Sequence, residues 1–209
     1  MTIGVIGAGR LGTAIARQAL AAGYDVCVAN SRTPDTLTLI IKVLLPGAVA
    51  RPIDELITRS DIVILALPLN RYKQLPSALF DGKTVVDAMN YWAPTEGTID
   101  EFTDERSSSS QYVQAYLKGA RLVKTLNHIA YNELEQHSQT RPGALRRAIV
   151  MSGDDQDAKK TVGEFIAAIG FDAVDIGPLT QGHRHQPDTP LFNARFHAKD
   201  LSSHGDLVM

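Results

Sequence analysis

The sequence predicts an α/β protein, a doubly wound and mostly parallel sheet of the Rossmann type with a small C-terminal extension. Three observations carry that expectation. Residues 61–67 hold nothing polar after Asp61, as a strand covered on both faces requires. Runs of this kind alternate with segments of helical periodicity, which implies βαβ units with right-handed crossovers. The first unit turns on three glycines, Gly7, Gly9 and Gly12, set between a short apolar strand and a helix.

Residues 3–6 read as that first strand. Residues 10–22 read as its helix, with Leu11, Ala14, Ile15, Ala19 and Leu20 on the apolar face. Gly23 suits the helix end, and residues 24–29 form the second strand. Residues 34–45 are expected to be helical with Pro34 in the first turn, and Pro46-Gly47 ends them. A short strand at 48–50, a helix at 52–59, the strand at 61–67, a helix at 72–80 and a strand at 84–88 follow. Residues 89–110 read as a loop that closes on Ser107-Ser108-Ser109-Ser110 as a helix N-cap, with a serine-rich linker as the rival reading. The remaining elements are a helix at 111–118, a strand at 121–125, a helix at 129–137, a loop at 139–143 and a strand at 148–151. A helix at 154–169 and a last strand at 173–176 complete the set. Residues 1–125 are thus expected to form the nucleotide-binding domain, and 126–209 an α/β extension completing the sheet and the acceptor pocket.

Composition narrows the functional classes. The chain has 209 residues, 44% of them hydrophobic, and a net charge of -2. That balance gives no electrostatic reason for nucleic acid or an anionic membrane as partner. No apolar run approaches the roughly 18 residues that span a bilayer. The strand begins at residue 2, which leaves no signal peptide, so the expected compartment is the cytoplasm. The single cysteine, Cys27, excludes an intramolecular disulfide and reads as buried filler within Val26-Cys27-Val28-Ala29.

The glycine turn spells a dinucleotide fingerprint. Gly7 permits the tight turn, Gly9 leaves room for a pyrophosphate against bare backbone, and Gly12 lets helix and strand pack closely. Gly7, Ala8, Gly9, Arg10, Leu11 and Gly12 are therefore expected to hold the pyrophosphate at the helix N-terminus. A glycine-rich turn without a ligand is the alternative. Eighteen residues past Gly12 the second strand ends in Asn30-Ser31-Arg32, where an NAD-binding chain usually carries a carboxylate. An amide, a hydroxyl and a guanidinium suit the 2′-phosphate of NADP instead. The alternative is that Arg32 merely caps a solvated turn.

Ligands lie across the carboxyl ends of strands in such sheets. Leu67 and Pro68 are expected to wall the cofactor, and Asn90 to bond a ribose or carboxamide. Tyr91 and Trp92 either stack on a planar ring or only pack the loop. Asn127 and His128 are the candidates for contact with a second substrate, with a structural histidine as the alternative reading. No Ser-His-Asp arrangement, Tyr-x-x-x-Lys pair or HExxH is present, so no catalytic residue is nominated. His183-Arg184-His185 could be a metal fragment, but alternate residues on a polar tail read better as solvated, and no metal is expected. A dehydrogenase of alcohols or ketones needs a positioned acid or base. Hydride transfer between NADPH and a flavin-like ring needs chiefly stacked rings. The second reaction therefore fits better. The rivals are an NADPH-dependent reductase of a small carbonyl or imine, and a non-catalytic NADP(H)-binding regulator. The polar-aromatic tail could close a partner's pocket, which suggests a homodimer.

These residues resemble the F420-dependent NADP oxidoreductase family. The likeness rests on residues 3–12, on Asn30-Ser31-Arg32, on Val86-Asp87-Ala88-Met89-Asn90 and on Leu122-Val123-Lys124-Thr125-Leu126-Asn127-His128. It continues through Met151-Ser152-Gly153-Asp154-Asp155 and Asp175-Ile176-Gly177-Pro178-Leu179. The resemblance implies NADP along the fingerprint and the Ser31-Arg32 pair, with coenzyme F420, or FMN or FAD, as co-substrate. It puts His128 where family members contact the deazaflavin. Two departures stand out. Tyr91-Trp92 replaces a proline found after the asparagine in many relatives, and the polar tail from Thr180 replaces an apolar helix.

Overall fold

The first strand, β1 (Thr2–Ile6), is parallel to β2 (Asp25–Ala29) on one side and to β4 (Ile62–Leu65) on the other. The computed structural model describes residues 1–102 and 107–203. Outward from β2 lies the two-residue β3 (Val49–Ala50). Outward from β4 follow β5 (Thr84–Asp87), β6 (Arg121–Thr125), β7 (Ala148–Gly153) and β8 (Asp172–Asp175). The order β3-β2-β1-β4-β5-β6-β7-β8 makes one eight-stranded sheet that runs unbroken past residue 125. Alternate residues of the central strands enter two cores. Ile3, Val5, Ile62 and Ile64 face one, and Ile6, Val63 and Leu65 face the other.

The helices are α1 (Arg10–Ala21), α2 (Thr38–Leu44), α3 (Ile53–Arg59), α4 (Ala93–Glu96), α5 (Ser109–Tyr116), α6 (Tyr131–Gln136), α7 (Gln156–Ala168) and α8 (Ala198–Ser203). From α1 and α7, Ile15, Ala19, Phe165 and Ile166 fill the first core. Leu56, Ile57 and Val113 from α3 and α5 fill the second. Each such fully buried large side chain contributes about 1.5–3 kcal/mol. Cys27 is buried among them.

The sheet departs from the expected parallel pattern at its far end, where β7 runs antiparallel to β6. The chain leaves β6 at the carboxyl edge and α6 packs beside α1 instead of crossing the sheet. It therefore re-enters at the edge it left. From there α7 makes an ordinary crossover, and β8 is parallel to β7. The helix expected over 72–80 is two 3-10 turns, Leu69–Gln74 and Ser77–Phe80, because Pro76 holds Leu75 extended at ψ 145. The segment expected as a helix over 34–45 begins as a 3-10 turn, Pro34–Leu37, before α2. Within the expected loop 89–110 lie α4 and a 3-10 turn, Asp100–Phe102. Ser108 caps α5, and its N–H donates to Gln111 Oε1 at 3.1 Å. The polar tail contains a 3-10 helix, Leu179–His185, and no described helix is long and apolar enough to cross a membrane.

Candidate functional site

The glycine turn does what its sequence requires. Gly7 has φ +119, and a Cβ there would lie 2.2 Å from the Ala66 carbonyl oxygen. A Cβ on Gly12 would lie 1.8 Å from the Gly7 carbonyl oxygen, so β1 and α1 meet backbone to backbone. Gly9 is different: nothing stands within 4 Å of its missing Cβ, which leaves open space at the N-cap of α1. The first N–H groups of α1 have no intrahelical partner and suit an anion there. A cavity of about 340 Å³ opens at this point, walled by Gly7, Gly9, Asn30, Ser31, Leu67 and Pro68. The residues present fit a dinucleotide.

The remaining cofactor candidates divide by position. Asn30 lines the cavity but its amide is engaged: Oδ1 accepts from Arg32 N–H at 2.8 Å and Nδ2 donates to Thr36 Oγ1 at 3.0 Å. Asn30 thereby shapes the turn that presents Ser31 and the exposed Arg32. The Arg10 guanidinium lies 5.6 Å from the Tyr131 ring centroid. Leu11 packs its side chain on the main core, which leaves its backbone N–H for phosphate. Arg71 and Gln74, on the 3-10 turn after Pro68, also line the cavity. The sequence reading singled out neither: Gln74 fell within the helix expected over 72–80, and Arg71 fell just before it.

A second cavity, of about 810 Å³, lies beyond the end of β5. Tyr91, Trp92, Phe102 and Tyr112 form its aromatic wall, and the tail residues Gln186 and Asp188 face them. Tyr91 is also a loop strut. Its hydroxyl donates to Gly97 O at 2.7 Å and accepts from Ile99 N–H at 2.8 Å, and its ring packs 5.4 Å from that of Phe102. Trp92 keeps 43% of its surface exposed and meets Phe192 edge-on. Gln186 Oε1 accepts from the Ser109 N–H at 2.7 Å, which ties the tail to α5. The carboxylate of Glu96 ties the segment after Pro68 to the loop that bears Trp92. It accepts from Asn70 N–H on the nucleotide side and from Trp92 N–H on the aromatic side, each at 3.1 Å.

Past the ends of β5 and β6 lies a buried polar cluster. Asn90 Nδ2 donates to Asn127 O at 2.7 Å, and Asn127 Nδ2 donates to Asn90 Oδ1 at 2.9 Å and to His185 O at 2.8 Å. His185 Nδ1 lies 2.9 Å from Asn127 Oδ1, and His128 Nε2 accepts from Val150 N–H at 3.2 Å. The two imidazoles stand edge to face at 5.1 Å. This favours the structural reading of His128 and corrects the expectation for His185. His128, expected to meet a second substrate, is 4% exposed, with its accepting nitrogen on the β7 backbone, and Asn127 is just as buried. His185, expected on a solvated tail, is fully buried, and Ser152 Oγ lies 3.3 Å from its Nε2. The antiparallel β7 explains both, since it brings Val150 and Ser152 over the end of β6. Asn90 likewise spends its amide on Asn127. Burial, with the Arg147 and Lys124 charges adding, drives the His128 pKa down to about 3, and burial lowers that of His185. Both rings are neutral near pH 7.

Lys124 and Asp87 also meet in the interior, both fully buried, with Nζ 3.6 Å from Oδ2. Burial lowers the Lys124 pKa, and Asp87 opposes that. Lys124 Nζ donates to Met89 O at 3.2 Å and to Ser109 Oγ at 3.4 Å, and Ser110 Oγ donates to Asp87 at 2.5 Å. Sequence reasoning did not single out this pair. The signal was there: a charge inside each of two apolar strands, Val86-Asp87-Ala88 and Val123-Lys124-Thr125. Among the described residues no group of three His, Cys, Asp or Glu could hold a metal ion.

The glycine turn and the open N-cap of α1 define a class, the Rossmann-type dinucleotide-binding folds. More particularly, residues 2–91 match the family described as NADP oxidoreductase coenzyme F420-dependent, so the resemblance seen in the motifs is shown there. The chain is 28% identical over 179 residues to the metalloreductase STEAP3 of Rattus norvegicus, which covers 85% of this chain and 34% of that protein. A glyoxylate reductase of Thermococcus onnurineus is 44% identical over 72 residues, 34% of this chain and 20% of that one. The chain thus spans about a third or a fifth of the length of the curated relatives it matches. Among solved structures, a hypothetical protein of Sinorhizobium meliloti shares 28% identity at TM-score 0.81, over 94% of this chain and 95% of that one. A provisional F420-dependent NADP reductase of Arthrobacter sp. FB24 shares the fold at TM-score 0.74 and 21% identity, over 88% and 87% of the two chains.

Proposed function

We propose that this chain transfers hydride between NADPH and a planar flavin-type or deazaflavin-type acceptor. The observation that carries this reading is the presence of two cavities, one at the glycine turn and one walled by aromatic rings, with Glu96 tying Asn70, two residues past Pro68 of the first, to Trp92 of the second. Gly7, Gly9 and the first turn of α1 would hold the pyrophosphate, and Ser31 and Arg32 the 2′-phosphate. Leu67 and Pro68 would wall the cofactor, while Trp92 would stack on the acceptor ring. When bound, NADPH supplies the hydride, and a proton from solvent completes reduction of the acceptor ring. The chain's task is then alignment and exclusion of water. The test is NADPH oxidation at 340 nm with coenzyme F420, FMN, FAD and riboflavin offered separately. Turnover with one of them supports the reading. Tight NADPH binding with no turnover on any acceptor overturns it in favour of a non-catalytic regulator.

One observation favours a second reading, reduction of a small imine or carbonyl. Ser109 lines the aromatic cavity with Lys124 Nζ behind it, a route by which a proton could reach a substrate. Turnover of a cyclic imine that Ser109→Ala abolishes would favour this reading over the first.

A further inference from the structure

The turn after Pro68 brings two polar side chains to the nucleotide cavity by its geometry. Over Leu69–Gln74 the chain is a 3-10 helix, in which residues three apart eclipse one another. Leu69 and Tyr72 therefore share the buried face, and Arg71 and Gln74 share an exposed one. The turn is anchored at both ends. Arg71 N–H donates to Pro68 O at 3.0 Å, Leu75 N–H donates to Tyr72 O at 3.1 Å, and the Tyr72 hydroxyl donates to Glu101 Oε1 at 2.9 Å. Both Arg71 and Gln74 line the cavity, and among the described residues neither side chain is engaged in a hydrogen bond or ion pair.

The order of residues along the wall says what they would meet. Gly7 and Gly9 take the pyrophosphate, and Ser31 stands at the end of β2, where a ribose follows. Arg51 N–H donates to Val28 O at 3.0 Å, so the chain enters α3 beside the end of β2, and Ile53, its first residue, lines the cavity. Ile53 and Leu75 both pack on the second core, which makes their part of the wall a fixed apolar surface. A nucleobase has a flat face and a polar edge. A guanidinium stacks on such a face, and a primary amide matches the neighbouring donor and acceptor of adenine, N6–H and N7.

We infer that Arg71 and Gln74 recognise the adenine base of the dinucleotide. Arg71 lies on the face of the base, Gln74 pairs with N6–H and N7, and Ile53 and Leu75 form the apolar side of the slot. This inference rests on the dinucleotide reading of the cavity and adds base selectivity to it. Hypoxanthine, with acceptors at both O6 and N7, would leave the amide oxygen of Gln74 facing an acceptor.

Isothermal titration with NADP⁺ and with nicotinamide hypoxanthine dinucleotide phosphate tests this, because the two ligands differ only at the six-membered edge of the base. The parent should bind NADP⁺ about tenfold more tightly. Gln74→Leu should close that gap by weakening NADP⁺ alone. Arg71→Ala should weaken both ligands by one common factor of about threefold. At high salt, where long-range charge is screened, it should weaken NAD⁺ by the same factor. Both side chains are exposed, so neither change threatens the fold. Equal affinity of the parent for the two purines, or a gap that Gln74→Leu leaves intact, overturns the role of Gln74. No loss in Arg71→Ala, or a loss confined to NADP⁺ that would move Arg71 to the 2′-phosphate, overturns the role of Arg71. These outcomes leave the dinucleotide reading standing, whereas a parent that binds no NADP⁺ overturns that reading itself.

Discussion

Arg32 follows a turn that Asn30 holds, and no carboxylate stands at the Asn30-Ser31-Arg32 end of β2 to compete with it. A bidentate guanidinium–phosphate pair is charge-assisted, so its loss should be selective. Arg32→Ala is expected to weaken NADPH binding about tenfold or more, about 1.4 kcal/mol, while leaving NADH binding unchanged. Parallel titrations of both nucleotides check this, and equal losses for the two would remove Arg32 from the 2′-phosphate site. Gly12 makes a different kind of claim, one about room. Its added methyl would press on the Gly7 carbonyl, a backbone atom fixed by β1, so the strand or the helix must shift. Gly12→Ala should lower stability by about 1–3 kcal/mol and distort the phosphate turn. A urea midpoint and NADPH affinity both equal to those of the parent would show that the turn tolerates the methyl.

At the scale of elements, β7 is held over the end of β6 by side chains as well as by its ladder. His128 and His185 bind only as neutral rings there, since each offers an accepting nitrogen, one to Val150 N–H and the other to Ser152 Oγ. The sign of the pH effect follows. Unfolded, His128 takes up a proton near its ordinary value of 6.5; folded, it resists until about 3. Its contribution to stability is complete above pH 6.5 and declines as pH falls towards 3, by up to about 1.4 kcal/mol per unit. His185, also lowered, acts in the same direction. Urea midpoints taken from pH 7 to pH 5 should therefore fall, and His128→Gln should flatten the slope. A flat profile in the parent would mean that the rings are solvated. The buried Arg147–Glu133 pair, at 2.7 Å, holds α6 to β7 from the other side, where Arg147 also donates to Ala194 O at 2.7 Å.

Across the whole molecule, what could be read from the sequence and what could not divide along physical lines. The β1–α1 turn, the central strands and the charge-free β4 were legible because local periodicity and glycine sterics determine them. The direction of β7 was not, because it depends on α6 finding α1, a contact that no local pattern encodes. The same contact decided the fate of His128 and His185, so the acceptor side of the candidate site was the less legible half. Trp92 and the tail line the aromatic cavity, and the contacts of Glu96 with Asn70 and Trp92 depend on two backbone N–H groups, which sequence does not advertise. That link yields the sharpest prediction at this scale. If Glu96 sets the distance between the two cavities, then Glu96→Ala frees the loop bearing Trp92 without touching Gly7, Gly9, Ser31 or Arg32. NADPH affinity should stay at the parent value. The hydride-transfer rate should fall by up to about a hundredfold, the effect of a displacement near 1 Å between reacting groups. Glu96→Gln keeps one accepting oxygen of two and should fall between them. Nucleotide titration combined with single-turnover absorbance at 340 nm separates the two effects. An unchanged rate in Glu96→Ala would mean that the cavities are not coupled through this side chain, whereas a weakened NADPH affinity would place Glu96 in the nucleotide site itself.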